Sequence, residues 1–150
     1  MSRKHTETVD SKLKTAWQVV SRMYNTEANL HNLTISMGHF LLNVDSHEGS
    51  YASDIAPALG MESTSLSRLI LSLEQKGLIQ RIPNEDDRRR IRIVLTDKGR
   101  ASKELAKNVV RNFNHAVELK IGKDRITEFF NALDDITALA NERNKMLKLE

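Results

Sequence analysis

The 150-residue chain has no cysteine. That excludes a disulfide framework, a Cys-ligated zinc site, an iron–sulfur cluster and any thiol nucleophile or thiol redox switch. It also has no strong excess of charge. Lys and Arg number 23 against 20 Asp and Glu, a formal net charge of +3. So mild a total does not announce a nucleic-acid protein, and what matters is where the charges sit. No run approaches the ~18 apolar residues of a membrane-spanning helix. The polar start Met1-Ser2-Arg3-Lys4-His5-Thr6-Glu7 leads into no apolar segment of a signal peptide. A cytoplasmic protein without a membrane partner is expected. Low-complexity tracts and internal repeats are absent. So are the G-x-S-x-G, P-loop, G-x-G-x-x-G and H-E-x-x-H patterns, and the five histidines (His5, His31, His39, His47, His115) form no i, i+4 pair. No enzyme, metal or cofactor is expected.

What is present is a soluble globular balance, 39% hydrophobic and 29% charged, of a length that suits one domain. From Val9 to about Leu30, Leu13, Ala16, Trp17, Val20, Met23 and Tyr24 recur at helical spacing. After a break at Asn29-His31-Asn32, a second helix is expected from about Ser36 to Ser46, with Met37, Phe40, Leu41 and Val44 inward. Glu48-Gly49-Ser50 reads as a turn. A short helix over Ala52–Leu59 stops at Gly60; Pro57 inside it requires it to be short or irregular, since an interior proline costs ~3 kcal/mol in a regular helix. Another, from Ser63 to about Lys76, has Leu66, Leu69, Ile70 and Leu73 as its stripe and ends at Gly77.

The period then changes. Leu78–Ile82 and Ile91–Leu95 are rich in β-branched residues, and Ile91, Ile93 and Leu95 alternate with Arg92 and Val94. The pair reads as a β-hairpin with a long charged tip, Pro83 to Arg90. Thr96 then suits an N-cap with Asp97 in the first turn, opening a helix through Leu105, Val109, Phe113 and Val117. After Gly122 a last helix reaches about Leu147, with Ile126, Phe129, Phe130, Leu133 and Ile136 on one side.

Two short helices joined at Gly60-Met61-Glu62 and followed by a charged hairpin are the parts of a winged helix-turn-helix. The expected fold is therefore mainly α with a small β-wing. The second helix of such a pair enters the major groove. Its outward face is Thr64, Ser65, Ser67 and Arg68, with Ser72 further along, and Arg68 suits a guanine edge. Alone, that face fits a solvated Ser-rich helix equally well. The hairpin shifts the balance: Arg88, Arg89, Arg90 and Arg92 gather within five positions, and a wing tip can place an arginine in a narrow minor groove. The rival for that run is a solvated loop partly neutralised by Glu85, Asp86 and Asp87. A winged-helix protein-interaction module that binds no DNA stays open as the alternative class.

At these residues the chain resembles the MarR family of bacterial transcriptional regulators. Asp87-Arg88-Arg89 followed by Leu95-Thr96-Asp97-Lys98-Gly99 resembles the family's wing signature, Asp-x-Arg and then Leu-Thr-x-x-Gly. Leu73-Glu74-Gln75-Lys76-Gly77-Leu78-Ile79 is similar to its Leu-Glu-x-x-Gly-Leu-(Ile/Val) exit from the recognition helix, and Ser67-Arg68 to its Ser/Thr-Arg pair. The order of elements agrees from about residue 10 to 147. Two departures are Glu62, where the family commonly has a Ser, Thr or Asp cap, and Pro57.

The resemblance implies one MarR-like domain over 1–150. Residues of about 10–34 and 97–147 would be dimerisation helices and about 36–96 the DNA-binding part. It implies a homodimer on a pseudo-palindromic operator, more often repressing than activating. Leu13, Trp17, Phe129, Phe130, Leu133 and Ile136 are the candidate interface. The resemblance gives Arg89 to the minor groove, and Asp87 to fixing the wing through an ion pair; Arg88, Arg90 and Arg92 would hold phosphates. It also implies a small aromatic or amphipathic ligand. Trp17, Met23, Tyr24, Met37, His39, Phe40 and Phe113 are candidates to line its pocket, although each is individually more often plain core. Without cysteine the chain departs from thiol-oxidation sensors, so a non-covalent signal is expected.

Overall fold

The computed structural model describes residues 7–84, 87 and 90–148. Nine elements follow in order: α1 (Val9–Asn29), α2 (Ile35–Leu42), β1 (Ser50–Tyr51), α3 (Ala52–Leu59), α4 (Ser63–Gln75), β2 (Ile79–Pro83), β3 (Ile91–Leu95), α5 (Asp97–Ile121) and α6 (Lys123–Leu147). They fall into two compact units, Met1–Val109 and Val110–Glu150.

Local chemistry sets the helix ends. Thr8 caps α1 in a reciprocal capping box with Ser11: each side-chain oxygen takes the other's backbone N–H, at 3.4 and 3.2 Å. Thr34 caps α2 by accepting from Met37 N–H at 3.2 Å. The α2 helix stops at Leu42, earlier than its apolar spacing suggests. The cause lies just beyond it, where the Asp45 carboxylate accepts the N–H groups of His47 and Glu48, each at 2.8 Å, and so holds a turn. Those two bonds also hold the Asp45 carboxyl below the usual carboxylate range. The α3 helix is short, as Pro57 requires, and Gly60 closes it in the left-handed conformation at φ 58°.

The sheet has three strands, where the sequence suggests two. β1 pairs antiparallel with β3 (Ser50 with Ile93, Tyr51 with Arg92), and β2 pairs on the other side, in the order β1-β3-β2. Gly49 feeds β1 at φ 75°, and a Cβ there would overlap the Ile93 carbonyl oxygen. Only glycine fits both constraints.

Among the described residues every buried hydrophobic side chain lies between Leu33 and Leu95. Phe40, Leu41 and Val44 meet Ile55, Leu73, Leu78, Ile79 and Ile93 in one core. The α4 stripe is buried at all four expected positions. Each such side chain contributes about 1.5–3 kcal/mol relative to exposure. Ile91 breaks the expected alternation. It is 38% exposed while Ile93 and Leu95 are buried, because the outer end of β3 runs past the core. In the second unit no described side chain is buried.

Candidate nucleic-acid interface

The α4 helix begins at Glu62, which takes the N-cap position without a side-chain hydrogen bond. No side chain therefore closes the first turn, and Ser63, Thr64 and Ser65 stand exposed around it. Ser67 and Arg68 are exposed on the same helix, so the expected face does point to solvent. The Ser67 hydroxyl donates to the Ser63 carbonyl at 2.9 Å. Its oxygen keeps the capacity to accept. Arg81 on β2 is committed elsewhere, to Glu74 of α4 at 2.6 Å. That hydrogen bond raises the pKa of its guanidinium.

Beyond α4 the chain is pinned by the Leu95–Gly99 motif. The Thr96 hydroxyl donates to the Gly77 carbonyl at 2.6 Å and accepts the Gly99 N–H at 3.0 Å. Lys98 donates to the Lys76 carbonyl at 2.9 Å, at the C-terminal end of α4. A Cβ at position 99 would overlap the Leu78 carbonyl oxygen. The Thr and Gly of the motif thus seat the start of α5 against the exit of α4.

The wing is closed by its backbone. Asn84 N–H donates to the Arg90 carbonyl at 3.1 Å, and Arg90 N–H to the Asp87 carbonyl at 2.9 Å. Arg88 and Arg89 lie outside the described residues. Arg90 and Arg92 are exposed, and both guanidinium groups lie against one aromatic ring. The Arg90 carbon sits 3.9 Å from the centroid of Tyr51, and that of Arg92 5.8 Å. Asn84 donates to the Tyr51 hydroxyl at 3.3 Å, and the Asp54 carboxylate of α3 stands 4.0 Å from Arg90. Tyr51, Asp54 and Asn84 carry no signal in the sequence; the strand register that gathers them joins residues some forty positions apart.

The candidate pocket residues differ in burial. Met37 and Phe40 are buried members of the core, whereas Trp17 is 55% exposed and stacks on His39 at 6.5 Å. Met23 and Tyr24 are half-buried, and burial raises the Tyr24 pKa. Phe113 belongs to the second unit, where it lines a hollow of about 460 Å³ with Val117, Ile121, Ile126, Phe129 and Phe130. A groove of about 310 Å³ in the first unit lies between α3, α4 and the sheet, with Ser53, Ala56, Ser67, Ile70, Arg81 and Ile91 in its wall. Among the described residues no cluster of three or more His, Asp or Glu could hold a metal, and no helix is long and apolar enough to cross a membrane.

A helix pair with an open second N-terminus, backed by a three-stranded sheet whose hairpin carries arginines, defines a winged helix-turn-helix protein. Residues 33–91 match the model of the MarR family, and over that segment the chain is similar to its members. Over 82 residues it is 34% identical to the HTH-type transcriptional regulator TtmR of Methylorubrum extorquens (strain PA1), covering 55% of this chain and 42% of TtmR. The chain spans about half the length of the curated relatives it matches. Among solved structures it is similar to the transcriptional repressor CouR bound to a 23-mer DNA duplex. The identity is 27%, over 90% of this chain and 96% of CouR, with a TM-score of 0.79. The MepR–DNA complex of S. aureus shares the fold at 21% identity and a TM-score of 0.82, over 89% of this chain and 99% of MepR.

Proposed function

We propose that the protein is a sequence-specific DNA-binding transcriptional regulator, acting in the cytoplasm as a homodimeric repressor on a pseudo-palindromic operator. The observation that carries this is the exposed Thr64–Arg68 face of α4, with an uncapped first turn, in the same unit as a wing bearing Arg90 and Arg92. In this reading Thr64, Ser65, Ser67 and Arg68 meet base edges and phosphates in the major groove. Arg89 enters the minor groove. Arg88, Arg90 and Arg92 hold phosphates, and Asp87 fixes the wing through its carboxylate. Residues of about 36–96 form the reading part, and about 10–34 and 97–147 supply the dimerisation helices, in which Leu13, Trp17, Phe129, Phe130, Leu133 and Ile136 meet a second copy.

A small aromatic or amphipathic ligand would control the protein by binding one dimer geometry better than another. Only a geometry that spaces the two α4 helices by one DNA turn, about 34–36 Å, reads both half-sites. Support for a ligand rests on the mixed side chains Trp17, His39, Met23 and Tyr24, which are not fully buried.

The test is binding of fragments from the gene's own upstream region across a salt series. Neutralising Z phosphates gives a slope of log K on log salt of about −0.9Z. Arg68→Ala is expected to lose about 1–3 kcal/mol of discrimination at one base pair, the worth of a good bidentate contact. Arg89→Ala is expected to weaken A·T-rich flanks selectively. A wild-type protein that selects no fragment from the genome, or binds with no salt dependence, is instead a protein-interaction module.

A further inference from the structure

The Tyr51 ring is an unusual occupant of the reading unit. It sits on the two-residue strand β1, opposite Arg92 in the register, and it takes two guanidinium groups at once. Two like charges do not gather on one face without a reason, because their mutual repulsion opposes it. An aromatic face supplies the attraction: its quadrupole draws a cation held within about 6 Å of the centroid. Both arginines meet that limit. The ring is itself fixed, since Asn84 at the root of the wing donates to its hydroxyl. Arg90 has a second attraction in the Asp54 carboxylate, at 4.0 Å with both groups largely exposed. An exposed pair at that distance contributes little. The ring, which is rigid and shared, is the stronger determinant of where the two cations point.

We propose that Tyr51 is a positioning residue for DNA binding: its ring seats Arg90 and Arg92 side by side, so that the base of the wing meets adjacent phosphates as a preformed pair. The proposal rests on the DNA-binding reading above. It adds a residue that touches no DNA and acts through two that do. Rotamer freedom of a long arginine opposes every phosphate contact it makes. A seat that removes part of that freedom beforehand increases affinity without adding a contact. Asp54 fits the same scheme as a carboxylate near Arg90 in the free protein that a phosphate displaces on binding.

The experiment compares Tyr51→Phe, Tyr51→Trp and Tyr51→Leu with the wild type, measuring operator affinity at several salt concentrations. Cation–π attraction at exposed sites is worth about 0.5–1 kcal/mol per cation, so loss of the ring is expected to weaken binding about fivefold to thirtyfold for the two cations of one wing. The salt slope should stay close to that of the wild type, because the two arginines keep their charges and the seat adds no phosphate contact of its own. Phe and Trp keep the ring and should stay within about threefold of wild type. In the Tyr51→Leu background, Arg90→Ala should cost much less than it does in the wild type. Additive losses would overturn the proposal, as would a Leu variant that binds the operator as tightly as the wild type.

A second readout needs no DNA. In the free wild-type protein the Arg90 side-chain protons should be shifted upfield by the ring current, and should lose that shift in Tyr51→Leu. Unshifted Arg90 protons in the wild type would also overturn it. If Tyr51→Leu fails to fold, the NMR signal of the wild type and the Tyr51→Phe and Tyr51→Trp affinities still decide. A wild type that binds no DNA while showing the upfield shift would instead sink the DNA-binding reading and leave the seat in place.

Discussion

Lys103 is the one charged side chain buried among the described residues, 7% exposed on α5. Its ammonium donates to the Val44 carbonyl just past the end of α2, so α5 is tied to the reading unit by a buried cation. Burial lowers its pKa first, and Lys107 adds to the effect; Asp45 and Glu104 pull the other way. The folded protein therefore gives up this proton at a lower pH than the unfolded chain, whose lysines titrate at 10.5. Below the folded pKa both states are charged, and the full cost of burying the charge is present. As pH rises from the folded pKa towards 10.5 the unfolded chain holds the extra proton, so stability rises through that window. Lys103→Met carries no such proton. The stability of the wild type minus that of the variant, from urea melts, is expected to be constant near neutrality and to climb on the alkaline side. A difference that stays flat up to pH 10.5 would show that Lys103 is not desolvated.

At the scale of elements, the start of α4 combines two demands that conflict. A helix needs an oxygen from its N-cap side chain, and an anion-facing helix needs no negative charge there. Glu62 supplies neither condition, since its side chain caps nothing and carries a charge beside the expected phosphate. Glu62→Ser is expected to stabilise the protein by about 1 kcal/mol, the usual worth of a cap. It should also tighten DNA binding several-fold at low salt and less at high salt. A thermal melt and a salt series on one sample check both, and a variant that is no more stable than wild type refutes the capping argument. The elements themselves were largely legible. The α4 stripe and the Ile93–Leu95 alternation follow from the period, because each runs through two or more turns or pleats. β1 was not legible, because two residues have no period and only pairing with β3 makes them a strand. The end of α2 was hidden in the Asp45 side chain, and the exposure of Ile91 in where the core stops. Charge clustering pointed to Arg90 and Arg92, yet nothing local links them to Tyr51. Phe40 and Trp17 looked alike as pocket candidates, since an apolar residue on a helix has the same spacing whether it is buried or half-exposed.

At the scale of the whole molecule, exposed apolar surface argues for a second copy. Trp17 is 55% exposed, Phe129 54% and Phe130 55%, and neither α1 nor α6 has a buried residue. Large apolar side chains left half-exposed along a helix are the kind of surface that a partner covers. The second unit is the sharper case. It is a helix end and one 25-residue helix without a buried side chain, and a piece of that size cannot bury enough surface to be stable alone. A symmetric dimer, the commonest oligomer of soluble proteins, would cover the α1 and α6 faces in both copies at once. Sedimentation equilibrium is expected to give a dimer at micromolar concentration, and Phe129→Asp with Phe130→Asp a monomer. Each step of that dissociation has a consequence on DNA. A dimer would engage its second half-site at the effective concentration set by the first, a gain of about 10²–10⁴ in avidity that needs no new contact. The double variant should therefore lose affinity for a full operator by a factor of that order, while keeping the wild-type affinity for an isolated half-site. A wild type that sediments as a monomer, or a charged variant that loses both affinities equally, would place these phenylalanines outside the dimer contact and leave the α6 face without its proposed partner.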